Sequence, residues 1–181
     1  MSLFKPENLE RFENVQGRTI RIGWVGNSKW QVRDLKGINT VIKPAIDQLI
    51  GEGYNVELVT SDRNERMIPH EKMPGYYNQI DLYVCASLCE GTPNPVLEAM
   101  ACGVPVISTR CKGPESFLND DCAEFCNVRD PKDMEDAILR MAARSDTLDE
   151  AKIRAAAKPF DSVAVAEHAV QIYREALENT K

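Results

Sequence analysis

The segment DLYVCAS, residues 81–87, is apolar on both faces, and this most limits how the chain can fold. A strand with two apolar faces must be covered on both sides, which is the situation of a parallel sheet wrapped by helices. The surrounding sequence repeats the pattern. TIRIGWVGN (19–27) is a β-rich run ending in Gly-Asn, and residues 36–54 then place Ile38, Val41, Ile42, Ala45, Ile46, Leu49 and Ile50 on one helical face, closed by Gly51 and Gly53. NVELVTSD (55–62) reads as a second strand and HEKMPGYYNQI (70–80) as a short helix interrupted by Pro74. Beyond DLYVCAS come a helix from Asn94, the strand VPVISTR (104–110), a short helix near Glu115–Leu118, the strand AEFCNV (123–128) and the helix PKDMEDAILRMAARS (131–145). The last turns Met134, Ala137, Ile138 and Met141 inward. Alternation of this kind predicts an α/β domain with a doubly wound parallel sheet, whose ligands bind at the carboxyl ends of the strands.

Composition narrows the class of ligand. A chain of 181 residues with 43% hydrophobic content can bury one sizeable core. The formal net charge of −6 and the lack of a Lys/Arg run exclude a nucleic-acid partner and favour a small ligand or a protein. No stretch approaches the ~20 apolar residues of a membrane span. The six cysteines come without an apolar leader or the density of a secreted scaffold, so the chain is expected to be cytoplasmic and reduced. Cys85 and Cys89, and likewise Cys122 and Cys126, are four apart but lack C-x-x-C knuckles, so they read as small buried thiols and no metal site is expected.

Three regions emerge. Residues 1–18 are polar, carry Pro6 and Gly17, and read as a linker without a partner; residues 19–160 hold the strand–helix domain. Residues 161–181 form a helix whose Ala166, Ala169, Val170, Tyr173 and Leu177 make an apolar stripe beyond the needs of that domain. The stripe calls for a surface outside it.

The chemistry concentrates in CEGTPNPVLEAMACGVPVIST, residues 89–109. Glu90 and Glu98, with seven residues between them, flank a Thr-Pro-Asn-Pro turn. Asn94 suits an N-cap and Pro95 the first helical position, so a helix should begin there and point its free N–H groups at an anion such as a pyrophosphate. Ionised carboxylates only accept hydrogen bonds, and sugar diols donate in pairs. A ligand with diols on either side of a pyrophosphate, a nucleotide sugar, would use all these features. Spacing alone leaves a second reading open, in which Glu98 complements the helix dipole and Glu90 is a solvated loop residue.

EGTPNPVLEAMACGVPVIST closely resembles the E-x7-E signature of retaining glycosyltransferases with the GT-B fold, which use nucleotide-diphosphate sugars. Lys36–Gly37, MPGYYNQIDLYVCAS and RCKGPESF are similar to segments of that family's C-terminal, Rossmann-like donor-binding domain, in the same order, and LFKPE (3–7) resembles the hinge leading into it. The resemblance implies that Glu90 contacts hydroxyls of the donor sugar and Glu98 the ribose diol. Gly91, Thr92, Pro93, Asn94, Pro95 and Val96 would form the loop against sugar and phosphates, with Thr92, Asn94 and Val96 supplying N–H groups, and Lys36 would pair with the pyrophosphate beside Gly26. Glu90 and Lys36 are thus the catalytic candidates. Where the family usually carries an arginine, this chain has Asn27, so the expectation is that either Arg33 or Lys29, in the same loop, supplies the second positive charge or donor binding is weaker than is usual for the family. The base is expected near residues 60–70, with His70 capping the next helix rather than stacking.

The resemblance further implies a metal-independent hexosyltransferase with no cofactor. Its acceptor would be held by a separate N-terminal domain, to which any peripheral membrane contact would fall, so that this chain binds donor but does not transfer sugar alone. A non-catalytic sugar-nucleotide module and a sugar-nucleotide epimerase of the same architecture are the alternatives. A glycoside hydrolase is disfavoured, because its acids must flank one scissile bond.

Overall fold

Five β-branched and aromatic runs form five parallel strands: β1 (Ile20–Gly26), β2 (Val56–Asp62), β3 (Leu82–Cys85), β4 (Val106–Thr109) and β5 (Ala123–Cys126). The computed structural model describes residues 3–8, 10–29 and 33–178. In space the strands are ordered β2-β1-β3-β4-β5. The chain therefore runs outward from β1 to β2 and crosses back to the other side of β1 to begin β3. That reversal opens a crevice beyond the carboxyl ends of β1 and β3, where open α/β sheets hold ligands.

The two apolar faces of β3 are both covered. Tyr83 and Cys85 enter one core, while Leu82 and Val84 enter the other. Helices α1 (Lys43–Gly51) and α4 (Pro131–Ala143) close the second core with Ile46, Leu49, Met134, Ile138 and Met141. Helices α2 (Met73–Gln79), α3 (Asn94–Ala101) and α5 (Glu150–Ala157) close the first with Met73, Tyr77, Val96, Met100 and Ile153. Each large side chain so buried contributes about 1.5–3 kcal/mol. The four inward residues expected of α4 are all buried, and Asp130 caps that helix by accepting from the Asp133 N–H at 3.0 Å.

Several local expectations are corrected. The helix foreseen over 36–54 is divided into a wide π-helical turn (Ile38–Ile42) and α1. Pro44, which has no N–H to donate back, stands at the junction. Helix α3 takes Pro93 as its N-cap, not Asn94, whose side chain makes no capping bond. Helix α5, not foreseen as a separate element, is capped by Asp149, which accepts from the Ala151 N–H at 2.8 Å.

The described part of residues 1–18 is not a partnerless linker, since Phe4, Arg11 and Val15 are buried. Arg11 donates to the carbonyls of Ile80, Cys102 and Gly103 and to the carboxylate of Glu150 at 2.7 Å. A guanidinium can leave water when its donors are matched in this way, so the polarity of the segment concealed a packed one. Met1, Ser2 and Leu9 lie outside the described residues, as do the last three residues of the expected C-terminal helix. That helix, α6 (Ser162–Glu178), buries none of its side chains and exposes Val163, Val165, Val170, Ile172, Tyr173 and Leu177.

Candidate functional site

The crevice beyond β1 and β3 is a cleft of about 780 Å³ whose lining includes Gly26, Asn27, Lys36, Arg63, His70, Asn94, Pro95 and Glu98. A larger hollow of about 980 Å³ lies between α5 and α6. The cleft is the better candidate, because it gathers strand ends, a helix start, two cations and a half-buried acid in one place.

Lys36 reaches the cleft because of its neighbour. Gly37 has φ 67°, and a Cβ there would fall 2.3 Å from the Ala86 carbonyl oxygen. Only glycine lets the chain turn so closely over the end of β3. Asp34 completes the turn, its carboxylate accepting from the N–H groups of Asn39 (2.8 Å) and Thr40 (2.7 Å). The Lys36 ammonium then forms an ion pair with Glu90 Oε1. The Ser87 hydroxyl donates to the same oxygen at 2.6 Å, and the Ser87 carbonyl is held by the Thr109 hydroxyl, also at 2.6 Å. The Glu90 backbone is fixed as well, donating to the Cys111 carbonyl and accepting from the Gly113 N–H, each at 3.0 Å. RCKGPESF, singled out in the sequence, thus braces the loop that bears Glu90.

Glu98 stands one turn into α3. The Tyr77 hydroxyl donates to its Oε2 at 2.8 Å, and His70 Nδ1 lies 3.9 Å from its Oε1. Burial raises the Glu98 carboxyl above the ordinary glutamate range, although the Tyr77 hydrogen bond and His70 pull the other way. His70 makes no capping bond, contrary to expectation; it lines the cleft, and its ring meets that of Phe4 edge-on at 5.5 Å.

The remaining candidates divide. Gly26, Asn27, Lys36, Asn94, Pro95 and Glu98 come together in the cleft, with Glu90 behind Lys36. Gly91 and Thr92 lie exposed on the adjoining loop, while Pro93 and Val96 are buried. The Val96 N–H is donated to the Pro93 carbonyl at 3.0 Å, so of the three N–H groups proposed for an anion only those of Thr92 and Asn94 lack an acceptor among the described residues. Arg33 and Lys29 are exposed and neither lines the cleft.

Arg63, which sequence reasoning passed over, does line it, anchored by its N–H to the Gly26 carbonyl at 3.0 Å. Its place directly after β2, at a strand's carboxyl end, was the available signal. Asn27 serves the loop itself, accepting from the Asn64 side chain and from the Lys29 N–H at 3.1 Å. Asp62 supports that loop. Burial would raise its carboxyl, but hydrogen bonds from Asn64 and Ser28 outweigh this and hold it below the ordinary aspartate range.

The model of the family glycosyl transferases group 1 matches residues 19–144, most of the chain and every residue of the cleft. The chain belongs to this family. Among curated relatives, Protein CapJ of Staphylococcus aureus is 28% identical over 138 residues, covering 64% of this chain and 34% of that protein. Capsular polysaccharide biosynthesis glycosyltransferase CapM of the same organism is 29% identical over 124 residues, covering 58% and 31%. The chain thus spans about a third of the length of these relatives. Among solved structures, sucrose-phosphate synthase from Thermosynechococcus elongatus superposes with a TM-score of 0.72 at 21% identity, covering 98% of this chain and 51% of that one. The C-terminal domain of a glycosyl transferase group 1 family protein from Francisella tularensis gives a TM-score of 0.58 at 21% identity, covering 86% and 91%. The doubly wound, Rossmann-like sheet expected from the strand–helix alternation, and the half of a GT-B fold implied by the resemblance, are the fold these structures share with the chain.

Proposed function

We propose that the cleft binds the nucleoside diphosphate of a sugar donor, and that this group 1 chain is the donor-binding half of a retaining, metal-independent hexosyltransferase acting on a saccharide or lipid-linked acceptor. The observation that carries this reading is the convergence of the start of α3, Lys36 and Glu98 on one cleft at the topological switch point. As the bond between sugar and diphosphate breaks, negative charge gathers on the leaving phosphate. Lys36, Arg63 and the free N–H groups at the start of α3 meet that charge, in the role a metal plays elsewhere. Glu98 accepts from the ribose diol, and Glu90 accepts from hydroxyls of the transferred sugar. The Lys36–Glu90 pair keeps the ammonium between sugar and phosphate.

An acceptor-binding domain completes the enzyme, and this chain alone binds donor without transferring it. The apolar residues exposed along α6 support a reading in which that helix packs toward the other domain. Thermal-shift titration with uridine, guanosine and adenosine diphosphates and their sugars tests the proposal. At least one series should raise Tm in the presence of a chelator, since a ligand stabilises in proportion to the logarithm of its concentration over Kd. Lys36→Ala should weaken every diphosphate by a similar factor. No stabilisation by any of them would refute the reading, and an effect of Lys36→Ala confined to one base would move Lys36 off the phosphate.

A further inference from the structure

The reading above gives Glu98 a ligand but leaves Tyr77 without a role. Tyr77 is fully buried on α2, with its ring packed edge-on against Phe4 (6.0 Å), Tyr76 (5.2 Å) and Tyr83 (6.1 Å). Three rings against a fully buried side chain restrict the movement of Tyr77. Its hydroxyl has Glu98 Oε2 as its hydrogen-bond partner, at 2.8 Å. The other carboxylate oxygen, Oε1, has no hydrogen-bond donor among the described residues; His70 Nδ1, at 3.9 Å, is beyond bonding distance. Glu98 is therefore a flexible side chain with one oxygen fastened to a rigid donor and the other left facing the cleft.

We propose that Tyr77 is a positioning residue for Glu98, holding Oε2 so that Oε1 is set to accept from the ribose hydroxyls of the bound nucleotide. This rests on the donor-binding reading given above. A glutamate free to rotate would be aimed at the ribose for only part of the time, and that loss of aim would appear as weaker binding. Tyr77 also favours the ionised form of Glu98, the form that accepts, against the effect of burial. The competing account is that Glu98 exists only to satisfy a buried phenol, with no consequence for ligands.

The two accounts separate on a readout that packing does not move: the ratio of affinities for a ribonucleoside diphosphate and its 2′,3′-dideoxy analogue. Calorimetry on the wild-type chain, Tyr77→Phe, Glu98→Gln and the double variant, with the best-binding diphosphate of the thermal-shift panel, gives the ratios. Tyr77→Phe keeps the ring, and its melting curve reports whether the fold survives. The expected result is that Tyr77→Phe lowers the ratio roughly three- to tenfold, leaves dideoxy affinity unchanged and adds little in the Glu98→Gln background. A wild-type ratio near one, or a ratio untouched by Glu98→Gln, would show that Glu98 is not on the ribose and would overturn the donor reading together with this inference. A ratio lost in Glu98→Gln but kept in Tyr77→Phe would leave the donor reading intact and overturn the role of Tyr77. Equal losses for both ligands in Tyr77→Phe would also overturn it, by assigning the effect to packing.

Discussion

Glu90 and Glu98 belong to one short motif, but their surroundings are built differently. Around Glu90 the backbone is pinned on both sides by Cys111 and Gly113, and the carboxylate is held by a cation and a hydroxyl. Around Glu98, one turn into α3, the backbone is ordinary helix, and a single hydroxyl from another helix does the holding. A loop has no regular hydrogen-bond ladder, so a side chain on it is placed accurately only if neighbouring segments fix the main chain. A helix fixes its own main chain and leaves only the side chain to be aimed.

The sharpest way to break the Glu90 side acts on backbone. A Cβ on Gly113 would lie 1.5 Å from the Gly91 carbonyl oxygen. Gly113→Ala should therefore destabilise the chain by about 2–4 kcal/mol, or displace the loop and abolish donor binding while α3 keeps its place. Denaturant midpoints together with diphosphate titration would show which. Unchanged stability and unchanged binding would mean that the loop is not braced as described.

A smaller effect sharpens the contrast between the acids themselves. Glu90→Gln should leave the bare nucleoside diphosphate nearly unaffected and weaken the intact nucleotide sugar by about 1.5 kcal/mol or less, since the cleft is open to water. Glu98→Gln should weaken both ligands alike, because both carry ribose. Proton linkage adds a second test of Glu98, which faces Tyr77 and His70. Its carboxyl is raised above its unfolded value, so its contribution to stability is fully present below that value and is lost as pH rises through the folded one. Ribose binding needs the ionised form and so falls as pH drops through the same window. Acid should therefore favour the fold and disfavour the ligand at this site, and Glu98→Gln should flatten both dependences. Parallel pH series of Tm and Kd check this; trends of the same sign would contradict it.

The smallest effect concerns the start of α3. Asn94 makes no capping bond, so Asn94→Ala should change stability by only a few tenths of a kcal/mol, whereas Asp130→Ala, which removes the cap of α4, should cost about 1 kcal/mol. Equal losses would restore Asn94 as a cap.

Much of this was legible in the residues and some of it was not. The strands follow from β-rich apolar runs and α4 from a period of 3.6, and the two-faced apolarity of DLYVCAS pointed to a parallel sheet covered on both sides, in which β3 proves central. Parts of the candidate site had a local signal, namely the proline-rich turn before a helix, read one residue late with Asn94 as its cap, and the two acids around it, whereas Lys36 was marked by the family resemblance. Arg63 was missed in favour of Arg33 or Lys29 because those two share the loop of Asn27, and only the pairing of β2 beside β1 brings the residue that follows β2 to the same cleft. Phe4 and Arg11 were read as part of a linker because burial of an arginine depends on carbonyls some 70 to 90 residues away.

The sequence by itself determined the alternation of strands and helices, the site's position at the strands' carboxyl ends and the chemistry of the groups available there. Tertiary structure decided which of those groups meet. It paired Lys36 with Glu90, set Tyr77 behind Glu98 and brought Arg63 rather than Arg33 to the cleft. The reason is physical. Periodicity and capping act within a few residues and can be read along the chain, whereas an ion pair or a buried hydrogen bond depends on distances between segments 20 to 90 residues apart, which exist only once the sheet is ordered and the helices are packed upon it.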